Sequence, residues 1–198
     1  MMTGLRQDMN CTFTAVGWSR FADITKPGSH LLTMEFLSTL HVETVGIETK
    51  IHFRFLNEFF EMLPKDFSNA LGFSKKCLLE ANALFEYDHS AWWNEISDEP
   101  VSSKNSIVSI HNPTLRVLAM VVFSRANLRL CSSSELICLY AMAKKIRYSP
   151  VMGMVAHWQK MITCKSPIDI TSLVTRIARY VGVLDKAQVT YMPMTDEY

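Results

Sequence analysis

Between Leu31 and Leu40 the apolar residues Leu32, Phe36, Leu37 and Leu40 recur at helical spacing, which predicts a helix. From Glu48 to Phe55 the period changes to two. Ile51, Phe53 and Phe55 fall on one face and Lys50, His52 and Arg54 on the other, the pattern of a half-buried strand. Asn57-Glu58 reads as a turn and Phe59 to Leu63 as a return strand, so one small β-hairpin is expected. Pro64 suits the first turn of a following helix through Asp66 to Leu71, which Gly72 closes. Trp18 to Ile24 reads as a short helix stopped by Lys26-Pro27-Gly28. Residues 1–17 look irregular, and residues 74–90 suggest a further helix around Cys77, Leu78, Leu79, Ala83 and Leu84.

The second half has clearer helix grammar. Asn112-Pro113 pairs an N-cap with a proline at the first helical position, ahead of an apolar stripe of Leu115, Leu118, Ala119 and Val122. Ser132 and Glu135 stand three apart, as in a capping box. Leu136, Ile137, Leu139, Tyr140 and Ala143 follow, with Lys144-Lys145 in the last turn, where cations suit the helix dipole. Pro150 opens another helix, with Val151, Met154, Val155, Trp158, Met161 and Ile162 on its apolar side. Asp169 is expected to cap the last, which turns Leu173, Val174, Ile177 and Val181 inward and ends at Gly182. The tail from Tyr191 to Tyr198 is expected to fray. The fold class predicted is mainly α: a helical domain with one small β-hairpin in the N-terminal half.

Composition narrows the class of protein. Hydrophobic residues make up 48% of the 198 and charged residues 20%, which excludes bulk disorder. Apolar runs such as Val117 to Phe123 are far short of the ~20 residues a membrane-spanning helix needs. The first ten residues lack the apolar core of a secretory signal. No membrane partner is therefore expected, and the location expected is intracellular, nuclear or cytoplasmic.

Charge is distributed unevenly. Residues 1–99 hold 8 Lys/Arg against 14 Asp/Glu, and residues 100–198 hold 12 against 5. The loop-like stretch 97–106 lies between, so the chain divides into an acidic N-terminal lobe (1–100) and a basic C-terminal lobe (101–198) within one continuous domain. A basic half is the electrostatic footprint expected of RNA or DNA binding. It is equally a solvated face that complements the acidic half, in the same chain or in a second copy. The residues that would carry nucleic-acid contact are Lys144, Lys145, Arg147, Arg125, Arg129, Arg176 and Arg179, with Lys144-Lys145-x-Arg147 the densest patch.

Motifs for chemistry are missing. No G-x-S-x-G, P-loop or G-x-G-x-x-G occurs. His41-Val42-Glu43 matches half of a deaminase signature whose P-C-x-x-C half is absent. The five cysteines are odd in number and irregularly spaced, with no C-x-x-C, so they read as reduced thiols rather than disulfides. Cys131, Cys138, His157 and Cys164 could be assembled into a metal site, although core thiols are the simpler reading. The six histidines form no H-x-x-x-H pair, and the acids Glu135 and Asp169 sit where helix caps are expected. No enzyme, cofactor or metal is predicted. Trp92-Trp93, with Phe85 and Tyr87, could stack on bases, but the acids around them repel phosphate. The pair reads as core or as an interaction surface.

Several phrases in order resemble one plant family. They are Leu32-Thr33-Met34-Glu35-Phe36-Leu37-Ser38-Thr39-Leu40, then Ile51-His52-Phe53-Arg54-Phe55 with Asp66-Phe67-Ser68-Asn69-Ala70-Leu71-Gly72-Phe73. Trp93-Asn94-Glu95-Ile96-Ser97 and Ser102-Ser103-Lys104 lead to Ile110-His111-Asn112-Pro113-Thr114-Leu115-Arg116, and Glu135-Leu136 precedes Leu139-Tyr140-Ala141-Met142. Together, over about residues 18–182, they resemble the Athila open-reading-frame-one protein of plant gypsy-class retrotransposons, and more distantly the plant mobile domain. The chain lacks the zinc knuckle, protease D-[ST]-G and polymerase Y-x-D-D of longer retrotransposon products. The resemblance implies a stand-alone, host-retained fragment with no enzymatic role to carry over. Its expected function is a protein-interaction module whose partner is another protein or a second copy. The alternative is a sequence-nonspecific nucleic-acid-binding protein acting through the basic half.

Overall fold

The computed structural model describes residues 2–23, 28–79, 84, 86–102, 104–122, 130–161 and 170–185. In chain order the elements are α1 (Met2–Val16), α2 (Ser19–Ala22), α3 (His30–Thr39), β1 (His41–Val45), β2 (Glu48–Phe55), β3 (Glu58–Met62), α4 (Pro64–Leu71) and α5 (His89–Ile96). They continue with β4 (Lys104–Ser106), α6 (Pro113–Val122), β5 (Leu130–Ser132), α7 (Ser133–Ala143), α8 (Val151–Met161) and α9 (Thr171–Tyr180). The chain is helix-rich, with a small antiparallel sheet in its N-terminal half. None of the described helices is long and apolar enough to cross a membrane.

The expected hairpin is present and extends to three strands in the order β1-β2-β3. Two tight turns set its register. Gly46 has φ +64° in the two-residue loop between the paired residues Val45 and Glu48. That is the first position of a II′ turn, whose twist matches the strands. Leu56 (φ 50°) and Asn57 (φ 64°) are both left-handed between Phe55 and Glu58, the pattern of a I′ turn. Asn suits that conformation and Leu does not. Glu35 of α3 holds the turn: its two carboxylate oxygens accept from the main-chain N–H groups of Leu56 (2.6 Å) and Asn57 (2.8 Å).

The chain divides into two compact units, each built from two segments and each drawing on both sides of residue 100. One unit takes 20–75 and 150–198. In it the inner face of β2 packs under α3, and Ile51, Phe53 and Phe55 are fully buried. Phe36 is the hub: its ring lies 5.3 Å from Phe53, 5.7 Å from Phe55, 6.3 Å from Phe67 and 6.0 Å from Trp158. Offset and edge-to-face contacts at such distances favour aromatic clusters beyond simple burial. α9 closes the unit against α3 and α4 with Val174, Ile177 and Ala178. Pro64 opens α4 and Gly72, at φ 98°, ends it, as the sequence predicts. Gly72 is also sterically required. A Cβ there would stand 2.9 Å from an Arg176 nitrogen and from main-chain atoms of Arg20 and Phe21.

The other unit takes 1–19 and 76–149. α7 lies at its centre, with Leu136, Cys138, Leu139, Tyr140, Ala141 and Met142 buried. Its capping box is formed as the sequence predicts: Ser132 accepts from the Glu135 N–H and Glu135 accepts from the Ser132 N–H. Asn112 caps α6 through bonds from Thr114 and Leu115. The Trp18 indole N–H donates to the Tyr148 carbonyl at 2.6 Å.

Four local expectations differ from the structure. Residues 1–17 are largely helical rather than irregular. α1 buries Phe13 and Val16 and packs on α6 and α7, so tertiary contact offsets a sequence rich in weak helix formers. Residues 75–79 are not helical: Leu78 bridges to Tyr148, exchanging main-chain bonds with Arg147 and Ser149. The stretch 97–106 ends in β4, which pairs with β5. Ile170 stands at the cap of α9 with no side-chain cap bond, while Asp169 and the tail 191–198 lie outside the described residues.

Candidate functional site

The basic residues singled out in the sequence are divided by the fold. Lys144, Lys145 and Arg147 follow the end of α7 in one unit, and Arg176 and Arg179 belong to α9 in the other. Arg125 and Arg129 lie outside the described residues. Lys144 Nζ stands 3.2 Å from the Glu95 carboxylate and 5.5 Å from the Trp92 ring centroid. It serves an ion pair and a cation–π contact within its own unit. Lys145, at φ 56°, and Arg147 are exposed.

Arg176 is a correction to the proposed phosphate set. Its Nη1 donates to the carbonyls of Arg20 and Leu71, both at 2.7 Å, and its Nη2 to that of Asp23. Burial pushes the guanidinium pKa below its ordinary value. Its donors join three chain segments and are not directed at a ligand. Arg179, one turn position on, is exposed.

The tryptophan pair is core rather than an open contact surface. Trp93 is fully buried and donates its indole N–H to the Glu99 carbonyl at 2.8 Å. Trp92 packs edge-on to Tyr140, and its own N–H has no hydrogen-bond partner among the described residues. Both rings are enclosed because α5 presses them towards α7. A hollow of about 290 Å³ opens beside Trp92, lined also by Glu95, Ile96, His111, Asn112, Leu115 and Lys144. Its titratable side chains already have partners: Lys144 with Glu95, and His111 Nε2 with Asp98 at 2.9 Å. The N–H groups of Thr114 and Leu115, at the start of α6, are taken by Asn112.

Among the described residues no group of three His, Cys, Asp or Glu could hold a metal ion. Cys164, one of the four residues weighed for such a site, lies outside them. Burial pushes the Cys138 thiol up to about 12 and the Cys131 thiol also upward, so both are kept as neutral thiols.

The most distinctive exposed surface is the outer face of the three-stranded sheet, which the sequence reading did not single out. Pairing places His41 opposite His52, Glu43 opposite Lys50, and His52 opposite Glu61. The His41 and His52 rings stack at 4.7 Å, and His52 Nε2 lies 3.4 Å from Glu43. Lys50 Nζ is 2.7 Å from Glu61, a contact that holds the Glu61 carboxyl below its ordinary pKa and raises that of Lys50. Apolar side chains stand at the margins of this charged ladder. Phe59 is 82% exposed beneath the Arg54 guanidinium, Val45 is 69% exposed, and Ile47 at the turn is wholly exposed. β1 and β3 each have a strand on one side only among the described residues. The signal was slight: Gly46 marks a turn after the short segment His41 to Val45 and ahead of the alternating run of β2. His41-Val42-Glu43 is thus edge strand, and the deaminase half-match is a coincidence of spacing.

No family model matches the chain, and comparison with curated proteins and with solved structures likewise finds no match.

Proposed function

We propose that this chain is a non-enzymatic protein-interaction module, derived from a plant Athila-type retrotransposon open-reading-frame-one protein and retained by its host, that acts through its three-stranded sheet. One observation carries the reading. The sheet is held by two tight turns and the Glu35 latch, yet it exposes Val45, Ile47 and Phe59 beside two edges that no further strand pairs among the described residues. Exposed edges and apolar side chains around a charged face are what a partner protein recognises. The phrases over about residues 18–182 that resemble the Athila proteins are what support the retroelement part of the reading.

Nucleic-acid binding is the second reading, favoured by the clustering of Lys144, Lys145 and Arg147, all exposed, just past α7. Binding of the chain to labelled single-stranded RNA and duplex DNA across a salt series separates the two. The interaction-module reading expects weak binding that the triple variant Lys144→Ala, Lys145→Ala, Arg147→Ala leaves unchanged. A log affinity that falls linearly with log salt, by about 0.9 per phosphate on duplex DNA, and flattens in the triple variant overturns it. Loss of the Lys144–Glu95 pair costs at most about 1 kcal/mol at so exposed a site, so the variant retains its fold.

A further inference from the structure

The outer edge of β1 carries its own complement. A two-residue loop closes on a hydrogen-bonded pair, and bonded and non-bonded pairs then alternate along the hairpin. Counting back from Val45/Glu48, the pairs Glu43/Lys50 and His41/His52 are bonded across β1 and β2. Val42 and Thr44 therefore turn their N–H and C=O groups to the edge that no other strand pairs among the described residues. Arg54 supports this parity from the far end of β2. It lies on the same side as Glu48, Lys50 and His52, and its N–H, past the start of β1, donates instead to the Thr39 hydroxyl at 2.9 Å.

We propose that β1 pairs antiparallel with β1 of a second copy of this chain, about a two-fold axis at Val42. In this register Val42 exchanges main-chain bonds with Val42 of the second copy. His41 then faces Glu43 of the second copy, and Glu43 faces its His41. Those two matches fall in the closer, non-bonded pairs, where side chains interact most strongly. Shifting the axis to Glu43 sets carboxylate against carboxylate. Shifting it to His41 sets imidazole against imidazole, and shifting it to Thr44 leaves imidazole and carboxylate opposite residues that match neither. The pairing of an imidazole with a carboxylate thus selects both the occupant and the register. The same pattern discourages foreign strand edges that lack it, which makes the edge selective for its own kind.

This inference rests on the interaction-module reading and names its partner. A five-residue edge buries little area, so the dimer is weak and in exchange with monomer. Sedimentation equilibrium of the full chain, over about 1 µM to 1 mM, is expected to show a reversible monomer–dimer equilibrium based on 22.6 kDa. His41→Glu places Glu against Glu at both matches and should weaken the dimer roughly 10-fold, whereas His41→Lys should tighten it. Thr44→Pro removes an edge donor and the exposed Thr44–Thr49 hydroxyl contact but no β1–β2 main-chain bond, and should also weaken it. Far-UV circular dichroism checks that each variant keeps its fold, and the two His41 variants suffice if the proline variant does not. A chain that stays monomeric throughout overturns the inference, as does a dimer that responds to none of the three substitutions. Either result leaves the interaction-module reading standing, because only the nucleic-acid titration overturns that.

Discussion

Arg176 lies half-buried in α9, with both Nη atoms committed to main-chain oxygens of Arg20, Leu71 and Asp23. A guanidinium presents a planar fork of donors that an ammonium cannot reproduce. Arg176→Met is therefore expected to lower stability by about 2–4 kcal/mol, read from urea unfolding, and Arg176→Lys to recover only a minor part. Neither change should alter the salt dependence of nucleic-acid binding. The sequence could not anticipate this role. It shows a cation near Arg179, but the Leu71 carbonyl that Arg176 bonds is 105 residues away. The tryptophans differ in the same way. Trp92-Trp93 is visible as a large apolar pair, but only the packing of α5 towards α7 shows that both rings face inward.

At the scale of elements, the β2–β3 turn shows local chemistry and tertiary contact in opposition. Leu56 occupies a left-handed position that favours Asn or Gly, and Glu35 offsets the cost by accepting two turn N–H groups. Replacing the turn with its preferred residues, Leu56→Asn with Asn57→Gly, should raise stability by about 0.5–1 kcal/mol. Glu35→Ala should lower it by about 1 kcal/mol in the natural chain and by less in the replaced one, a coupling that thermal unfolding of the four combinations measures. Elements with their own punctuation were legible: α4 between Pro64 and Gly72, α7 from its capping box, β2 from its alternation. α1 was not, because Thr3, Gly4, Asn10, Thr12 and Thr14 are weak helix formers and its burial on α6 and α7 supplies what they lack. β1 was missed for a different reason. Its distal end is exposed on both faces, so it lacks the apolar alternation that marks a half-buried strand.

At the scale of the molecule, charge and packing divide the chain differently. Net charge changes sign near residue 100, whereas each compact unit joins an early segment to a late one. Fragments 1–100 and 101–198, expressed separately, are therefore expected to show no cooperative unfolding, and mixing them should restore it. A cooperative transition in either fragment alone would instead place a folding boundary where the charge changes. The same interleaving orders events in time. A ribosome releases α3, the sheet and α4 first, then all of residues 76–149, and only afterwards α8 and α9. At about 5–20 residues per second, that intervening stretch takes roughly 4–15 s to synthesise. Throughout that interval Phe36, Phe53, Phe55 and Phe67 lack Trp158, Val174 and Ile177, and at its end the other unit has all of its chain while theirs is still incomplete. The nascent sheet is thus the surface a chaperone meets first, and the last two helices are what release it.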